Sequence, residues 1–247
     1  MIPLQRPDLP KALDRRLADR TDRLRAAAAG VETSRKAWRS ARTIRRDVRS
    51  VLDDMAAGFS RCMYCGDSQG TAIDHFLPIA DDPLRAFIWA NHFLACSHCN
   101  SNEKRDQYPC DAAGSCLLVD PCVDDPSAHL RLTLPTGEYT GITRKGRETI
   151  RVFGLGRPSL ERGRAKAFVR CRSMLRDWLR LMERDAPGEA REVLESLQVQ
   201  PFADVLHAMV GRADAAGAEV VFGPDVTTAL KMIRGDAGPG ALPPPAA

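Results

Sequence analysis

Two cysteine pairs, Cys62-x2-Cys65 and Cys96-x2-Cys99, stand 30 residues apart. Each places two thiolates on one tight turn, and two such turns supply the four tetrahedral sulfur ligands that zinc prefers. With all four positions filled by protein, the ion has no open coordination site, so it is structural and its binding energy is folding energy. Asp74, His75, Asn91 and Asn100 lie between and just after the knuckles. These are side chains capable of proton transfer, metal ligation and loop anchoring, gathered in one short stretch.

The stretch TAIDHFLP followed by WANHFLACSHCNSNEK resembles the HNH endonuclease family, in the subgroup whose nuclease motif is embedded between CxxC pairs. The resemblance rests on an Asp-His pair, an Asn 16 positions after the His, and a further polar residue 9 positions beyond it, directly after the last cysteine. That last family position, often histidine, is Asn100 here. The resemblance implies that His75 is the general base that takes a proton from the attacking water, and an imidazole with an ordinary pKa near 6.5 suits that task at neutral pH. It implies that Asp74 and Asn100 hold one catalytic Mg2+ or Mn2+, ions that favour such oxygen donors. Asn91 would fix the His75 loop and ring by a hydrogen bond. A small ββα-metal unit is the expected fold: a two-stranded hairpin carrying the Asp-His pair, then a helix carrying the last ligand. Lys104 and Arg105, one turn past Asn100, are expected on backbone phosphates.

The elements that must position this unit read as mostly helical. Residues 9–29 form a charged helix that Gly30 ends in a left-handed C-terminal conformation. A second helix follows from Val31 to Ala57, with Ala37, Ala41, Ile44, Val48, Val51 and Met55 as its buried stripe. On another face Arg35, Arg39, Arg42, Arg46 and Arg49 fall in a row that could track a phosphate backbone; such a charge run also fits a plain solvated face. The alternation in HLRLTL suits a strand and PTGEYTG a hairpin turn. From Pro158 to Glu183 a helix presents Phe168, Leu175, Trp178, Leu179 and Met182 to the core, with shorter helices over 188–198, 201–210 and 225–234. The Pro/Gly/Ala-rich end, 236–247, is expected to be disordered. The expected class is therefore α+β, mostly helical, with a central ββα-metal core stapled by a four-cysteine zinc site. It divides into an N-terminal basic helical region (1–60), the core (61–110), a largely helical extension (111–235) and the tail.

Cys110, Cys116 and Cys122 are evenly spaced, with five residues between neighbours. With His129 they could make a second zinc site, but they match no standard knuckle, and tolerated or buried thiols are the better reading. Cys171 reads as core. His92 and His98 fit packing or surface roles, since four cysteines already satisfy zinc.

The net charge of +4 is assembled from opposed blocks. Residues 1–61 hold 15 Lys/Arg against 8 Asp/Glu, 62–143 hold 4 against 11, 144–180 hold 12 against 3, and 181–247 hold 5 against 10. Basic segments flanking an acidic, cysteine-rich one suggest that particular surfaces meet a polyanion. No apolar run approaches the roughly 20 residues of a membrane span, and nothing at the N-terminus reads as a secretion signal, so a cytoplasmic protein with reduced cysteines is expected. Residues 117–164 also resemble nucleases of bacterial anti-phage systems of the Septu and retron-associated type. That implies a defence effector acting on DNA beside a sensor or ATPase subunit, with a homo-oligomer as an open alternative; the chain has no P-loop of its own. A zinc ribbon that binds nucleic acid or protein without cutting, and an HNH enzyme acting on RNA or as a nickase, are the competing readings.

Overall fold

The structure is a computed structural model and describes residues 1–237. Helix accounts for 57% of the described residues, with two small sheets beside it, which is the α+β class expected. The chain divides into two compact units, one of residues 3–131 and 140–155, the other of 132–139 and 156 onward.

In the first unit, α1 (Lys11–Ala26) buries Leu13, Leu17, Thr21 and Leu24, one side chain per turn on a single face. The chain turns at Ala28, whose φ is 46°. Gly30 is extended and begins the next helix instead of closing this one. The long second helix expected from the sequence is two helices, α2 (Val31–Ser40) and α3 (Arg42–Met55), broken at Ala41, where ψ swings to 55°. The break shifts the buried stripe of α3 to Ile44, Val48 and Leu52, leaving Val51 and Met55 only partly covered. It also splits the arginine row between two helices, so the five guanidinium groups share no single helical face.

The cysteine-rich stretch forms the expected unit. Strands β1 (Ala72–His75) and β2 (His92–Ala95) pair antiparallel, with Asp74 opposite Phe93 and His75 opposite His92. The first knuckle precedes β1 and the second follows β2. The knuckle is tied to the sheet by Met63 N donating to Leu94 O (2.9 Å), and Gly70 lies so close that a Cβ there would sit 2.2 Å from Leu94 Cγ. After Cys96 the chain enters a wide π-helical segment, His98–Lys104, closed by Arg105 N donating to Asn100 O (2.8 Å), an i→i−5 bond. Short α4 (Pro126–His129) precedes β3 (Leu130–Thr133), which pairs with β4 (Glu138–Gly141) as the expected hairpin. Thr143 then caps α5 (Arg144–Val152), its hydroxyl accepting from Gly146 N.

The second unit is a helical bundle of α6 (Pro158–Glu183), α7 (Pro187–Val199), α8 (Ala203–Val210), α9 (Ala218–Phe222) and α10 (Pro224–Ala237). Helix α6 buries Phe168, Leu175, Trp178 and Leu179 as expected, and Cys171 with them, while Met182 is largely solvent-facing. The short helix α9 was not anticipated. Arg164 is wholly buried: its Nε donates to Gly137 O (2.6 Å) and its guanidinium lies over the Tyr139 ring (4.6 Å). No helix among the described residues is long and apolar enough to cross a membrane. The tail expected to be disordered lies, from residue 238, outside the described residues.

Candidate active site and metal centre

The four knuckle cysteines converge. Cys62, Cys65, Cys96 and Cys99 are all buried, and their sulfurs lie within 4.8 Å of one another. Sulfurs bound to tetrahedral zinc at about 2.3 Å stand about 3.8 Å apart, so the cluster fits the ion with little movement. Thiol-to-thiol hydrogen bonding already polarises the group. Cys62 draws Cys65 down to about 7, Cys62 and Cys65 pull Cys96 lower still, and Cys62 and Cys99 are pushed up. Among the described residues this is the one group of three or more His, Cys, Asp or Glu side chains close enough to share a metal. Cys110, Cys116, Cys122 and His129 therefore form no second zinc site of that kind.

At the C-terminal end of β1, His75 and Asp74 point to opposite sides of the strand, and each is held by different partners. His75 Nε2 lies 3.0 Å from Ala86 O. A carbonyl only accepts, so Nε2 carries the proton and Nδ1 keeps its lone pair. Among the described residues no protein group bonds to Nδ1. Burial lowers the pKa of His75, outweighing the Ala86 carbonyl and Asp74, which raise it. The ring is thus neutral at pH 7 with one basic nitrogen available.

Two aromatic neighbours set its orientation. Trp38 of α2 meets His75 edge-on (centroids 4.8 Å apart) and stacks on His92 (4.7 Å). His92 is fully buried, sends its own Nε2 to the same Ala86 oxygen (3.1 Å), and is held well below its usual pKa, first by burial and then by His75. One carbonyl, using both lone pairs, therefore anchors both rings.

Asn91 secures the loop that carries that carbonyl. Its Oδ1 accepts from Leu77 N (2.7 Å), and its Nδ2 donates to Leu77 O (3.0 Å) and Arg85 O (3.2 Å). It holds the loop as expected but does not reach the ring, whose partner is Ala86 O.

Asp74 is buried with both carboxylate oxygens engaged. Tyr64 Oη donates to Oδ2 (2.5 Å) and Lys104 Nζ to Oδ1 (3.2 Å). Lys104 also donates to His75 O (2.8 Å), and its side chain has no exposed surface. The expectation that Lys104 contacts a phosphate backbone is thus corrected, because its ammonium is spent inside the unit on Asp74 and the His75 carbonyl. Tyr64 is itself buried and stacked on Phe153 (3.9 Å), and burial together with Asp74 raises its pKa well above the usual value. A carboxylate has about four lone-pair positions, so two donors leave capacity for a cation. Asn100 is half-buried on the π-helical segment, and among the described residues its side-chain amide has no hydrogen-bond partner. Carboxylate and amide oxygens are each of the donor type that Mg2+ or Mn2+ favours.

The arginines divide. Arg35 pairs with Glu32 and Asp106 (3.2 Å each), Arg46 with Asp47 (3.1 Å), and Arg49 with Asp53 (2.8 Å) and Gly70 O (2.6 Å). Arg39, Arg42 and Arg105 are exposed, with no side-chain partner among the described residues. His98 is exposed and pairs with Glu103 (3.0 Å).

The central unit is similar to known proteins. The family model described as HNH endonuclease matches residues 62–106. Over those residues the chain forms a domain that matches the HNH endonuclease family. It is similar to Septu protein PtuB of Bacillus mycoides, 29% identical over 150 residues that cover 48% of this chain and 50% of that protein. It is also similar to protein ea31 of Escherichia phage lambda, 36% identical over 81 residues, 32% of this chain and 27% of that protein. The chain thus spans half or less of the length of these relatives.

Sequence reasoning missed Trp38, Tyr64, His92 as an anchor, the Ala86 carbonyl and Arg6. Arg6 Nη1 donates to Trp89 O and His92 O (3.1 Å each), and its guanidinium lies over Trp89 and Phe93. Tyr64 had a usable signal, because an aromatic inside the first knuckle lies close to Asp74. A backbone carbonyl has none.

Proposed function

We propose that this chain is a metal-dependent HNH endonuclease that hydrolyses DNA phosphodiester bonds, acting as the effector of a bacterial anti-phage defence system. The observation that carries the reading is the His75 ring, neutral by burial and fixed through Nε2 on the Ala86 carbonyl, with Nδ1 left as a base. Nδ1 takes a proton from water, the water oxygen bonds to phosphorus, and the bond to the 3′ oxygen breaks. The 3′ oxygen leaves with the bonding electron pair and takes a proton from solvent, so the products are a 5′ phosphate and a 3′ hydroxyl. Asp74 and Asn100 would hold one Mg2+ or Mn2+, which supplies charge stabilisation on the phosphate and the leaving oxygen. Zinc on the four cysteines is structural.

Arg39, Arg42 and Arg105, the exposed members of the expected set that have no acidic partner, are assigned to backbone phosphates, with affinity that falls with salt. The likeness to a Septu protein and the resemblance over 117–164 support a defence role in the cytoplasm beside a sensor or ATPase subunit. A single site cuts one strand, so double-strand breaks would require a second copy or a second encounter.

One observation favours a different reading. Lys104 occupies Asp74 with a protein cation, as it would in a zinc-ribbon binding module with no catalytic ion. Plasmid cleavage with Mg2+ or Mn2+, beside EDTA and His75→Ala, separates the two. Nicking that requires metal and is lost in the variant supports the nuclease. DNA retention without cutting, unchanged in the variant and with the sensor subunit present, overturns it. RNA offered in parallel decides the substrate.

A further inference from the structure

Six residues beyond the HNH helix, the chain makes a small hairpin in which Cys110 and Cys116 face each other as partners of an antiparallel bridge. The flanking hydrogen bonds fix the type of pair. Asp111 N donates to Ser115 O (3.0 Å) and Leu117 N to Pro109 O (2.8 Å), so the two cysteines form a non-hydrogen-bonded pair. That is the closer of the two antiparallel spacings, with Cα atoms about 4.5 Å apart, at the short end of the range that disulfides span.

The turn between them is already built. Asp111 Oδ1 accepts from Ala113 N (2.9 Å) and Ser115 N (2.8 Å), and Gly114 takes the positive φ (82°) that the turn requires. Cys110 is exposed and Cys116 half-buried. Among the described residues no third ligand joins them to make a metal site. The four knuckle cysteines, by contrast, are sealed in the core.

We propose that Cys110 and Cys116 are a reversible dithiol–disulfide site whose oxidant is a small-molecule disulfide of the glutathione class. The exposed Cys110 sulfur, as thiolate, attacks one sulfur of glutathione disulfide and expels one glutathione thiolate, which takes up the proton that Cys110 lost. Cys116 then attacks the Cys110 sulfur of the mixed disulfide and expels the second glutathione in the same way. Two protein thiols lose two electrons and two protons, and one glutathione disulfide becomes two glutathiones. The folded hairpin holds Cys116 opposite the mixed disulfide, so the second step is favoured by proximity. An exposed bridge at the short limit of spacing belongs to the readily reduced class. The hairpin is linked to the HNH unit through Tyr108, whose backbone oxygen accepts from Cys110 Sγ (3.6 Å) and whose ring meets Phe76, the neighbour of His75, edge-on at 5.9 Å.

The test uses the full chain, zinc-loaded, equilibrated in glutathione buffers of stepped ratio and trapped with iodoacetamide. Cleavage on the amino side of aspartate yields fragments 106–110 and 111–119 and puts Cys122 on a third. The expected result is a disulfide-linked pair of the first two fragments, reversed by dithiothreitol, with zinc content unchanged and the same bridge in Cys122→Ser. Three results would overturn the proposal: alkylation of both cysteines at every ratio, a glutathione adduct that stays on Cys110, or a bridge that involves Cys122. The readout requires no cleavage activity, so it stands or falls separately from the nuclease assignment.

Discussion

Replacing Lys104 with Met tests whether the interior of the HNH unit is organised by charge. The ammonium has no exposed surface and the Asp74 side chain is 3% exposed, so both ions are out of water. Removing one member of such a pair leaves the other charge buried with too few partners, a loss of about 3–5 kcal/mol. Asp74 would keep only the Tyr64 hydroxyl, and the His75 carbonyl would lose its donor. For a chain of this size the loss corresponds to a fall in Tm of about 6–20 °C. An exposed pair would cost no more than about 1 kcal/mol. The double variant Asp74→Asn, Lys104→Met removes both charges and should recover much of the loss, because neither ion is left alone. Urea unfolding of the wild type, both single variants and the double variant, at one fixed zinc concentration, gives the coupling directly. A single-variant loss below about 1 kcal/mol, or a double variant no better than the sum of the singles, would refute the buried-pair account.

Four further outcomes follow from the same geometry. His75→Ala should lower cleavage by about 10²–10⁴-fold, the usual worth of a general base, while zinc content stays unchanged. Because burial lowers the His75 pKa, the wild-type rate should fall only on the acid side of about pH 6.5, as the ring protonates and Nδ1 loses its lone pair; a midpoint above that value in the pH–rate profile would contradict the burial argument. Asn91→Ala removes three hydrogen bonds from the loop that carries Ala86, and both stability and cleavage should drop, with the loop amides of Leu77 and Ala86 losing hydrogen-exchange protection first. Stripping zinc with a strong chelator should unfold the unit that holds β1 and β2, visible as lost near-ultraviolet dichroism from Trp38 and Trp89, and zinc but not magnesium should restore it.

The sequence carried most of the site because its chemistry is local: the knuckles, the Asp-His pair and both asparagines fall between Cys62 and Asn100, where spacing alone constrains geometry. What escaped comes from elsewhere in the chain or from the backbone. Trp38 lies on a helix well before the motif and outside the buried stripe expected there, which ran through Ala37 and Ala41, so the hydrophobic period did not mark it. The Ala86 carbonyl orients the base, yet a carbonyl belongs to every residue. The break at Ala41 has no Gly or Pro to announce it, and that one unmarked turn moved the buried stripe and dispersed the arginine row. Lys104 was misread for an electrostatic reason. A lysine is exposed unless a buried partner holds it, and the partner, Asp74, is 30 residues away.

The arrangement separates three tasks among neighbouring groups. The four cysteines fix the ends of both strands, so the β1–β2 register that puts His75 opposite His92 does not depend on the two short strands alone. Asn91 then holds the intervening loop, and the loop returns one carbonyl to both histidines. Trp38 closes the back of the pair, packing edge-on against one ring and face-on against the other. The N-terminal helices thereby act as scaffold for the imidazole, a role that their buried tryptophan supports better than the expected arginine row, three of whose five members are bound to acidic neighbours. Of that row, Arg39 and Arg42 are left exposed without an acidic partner, just before and just past the end of α2 and close to Trp38. A phosphate backbone drawn to those two would approach the helix that packs on His75.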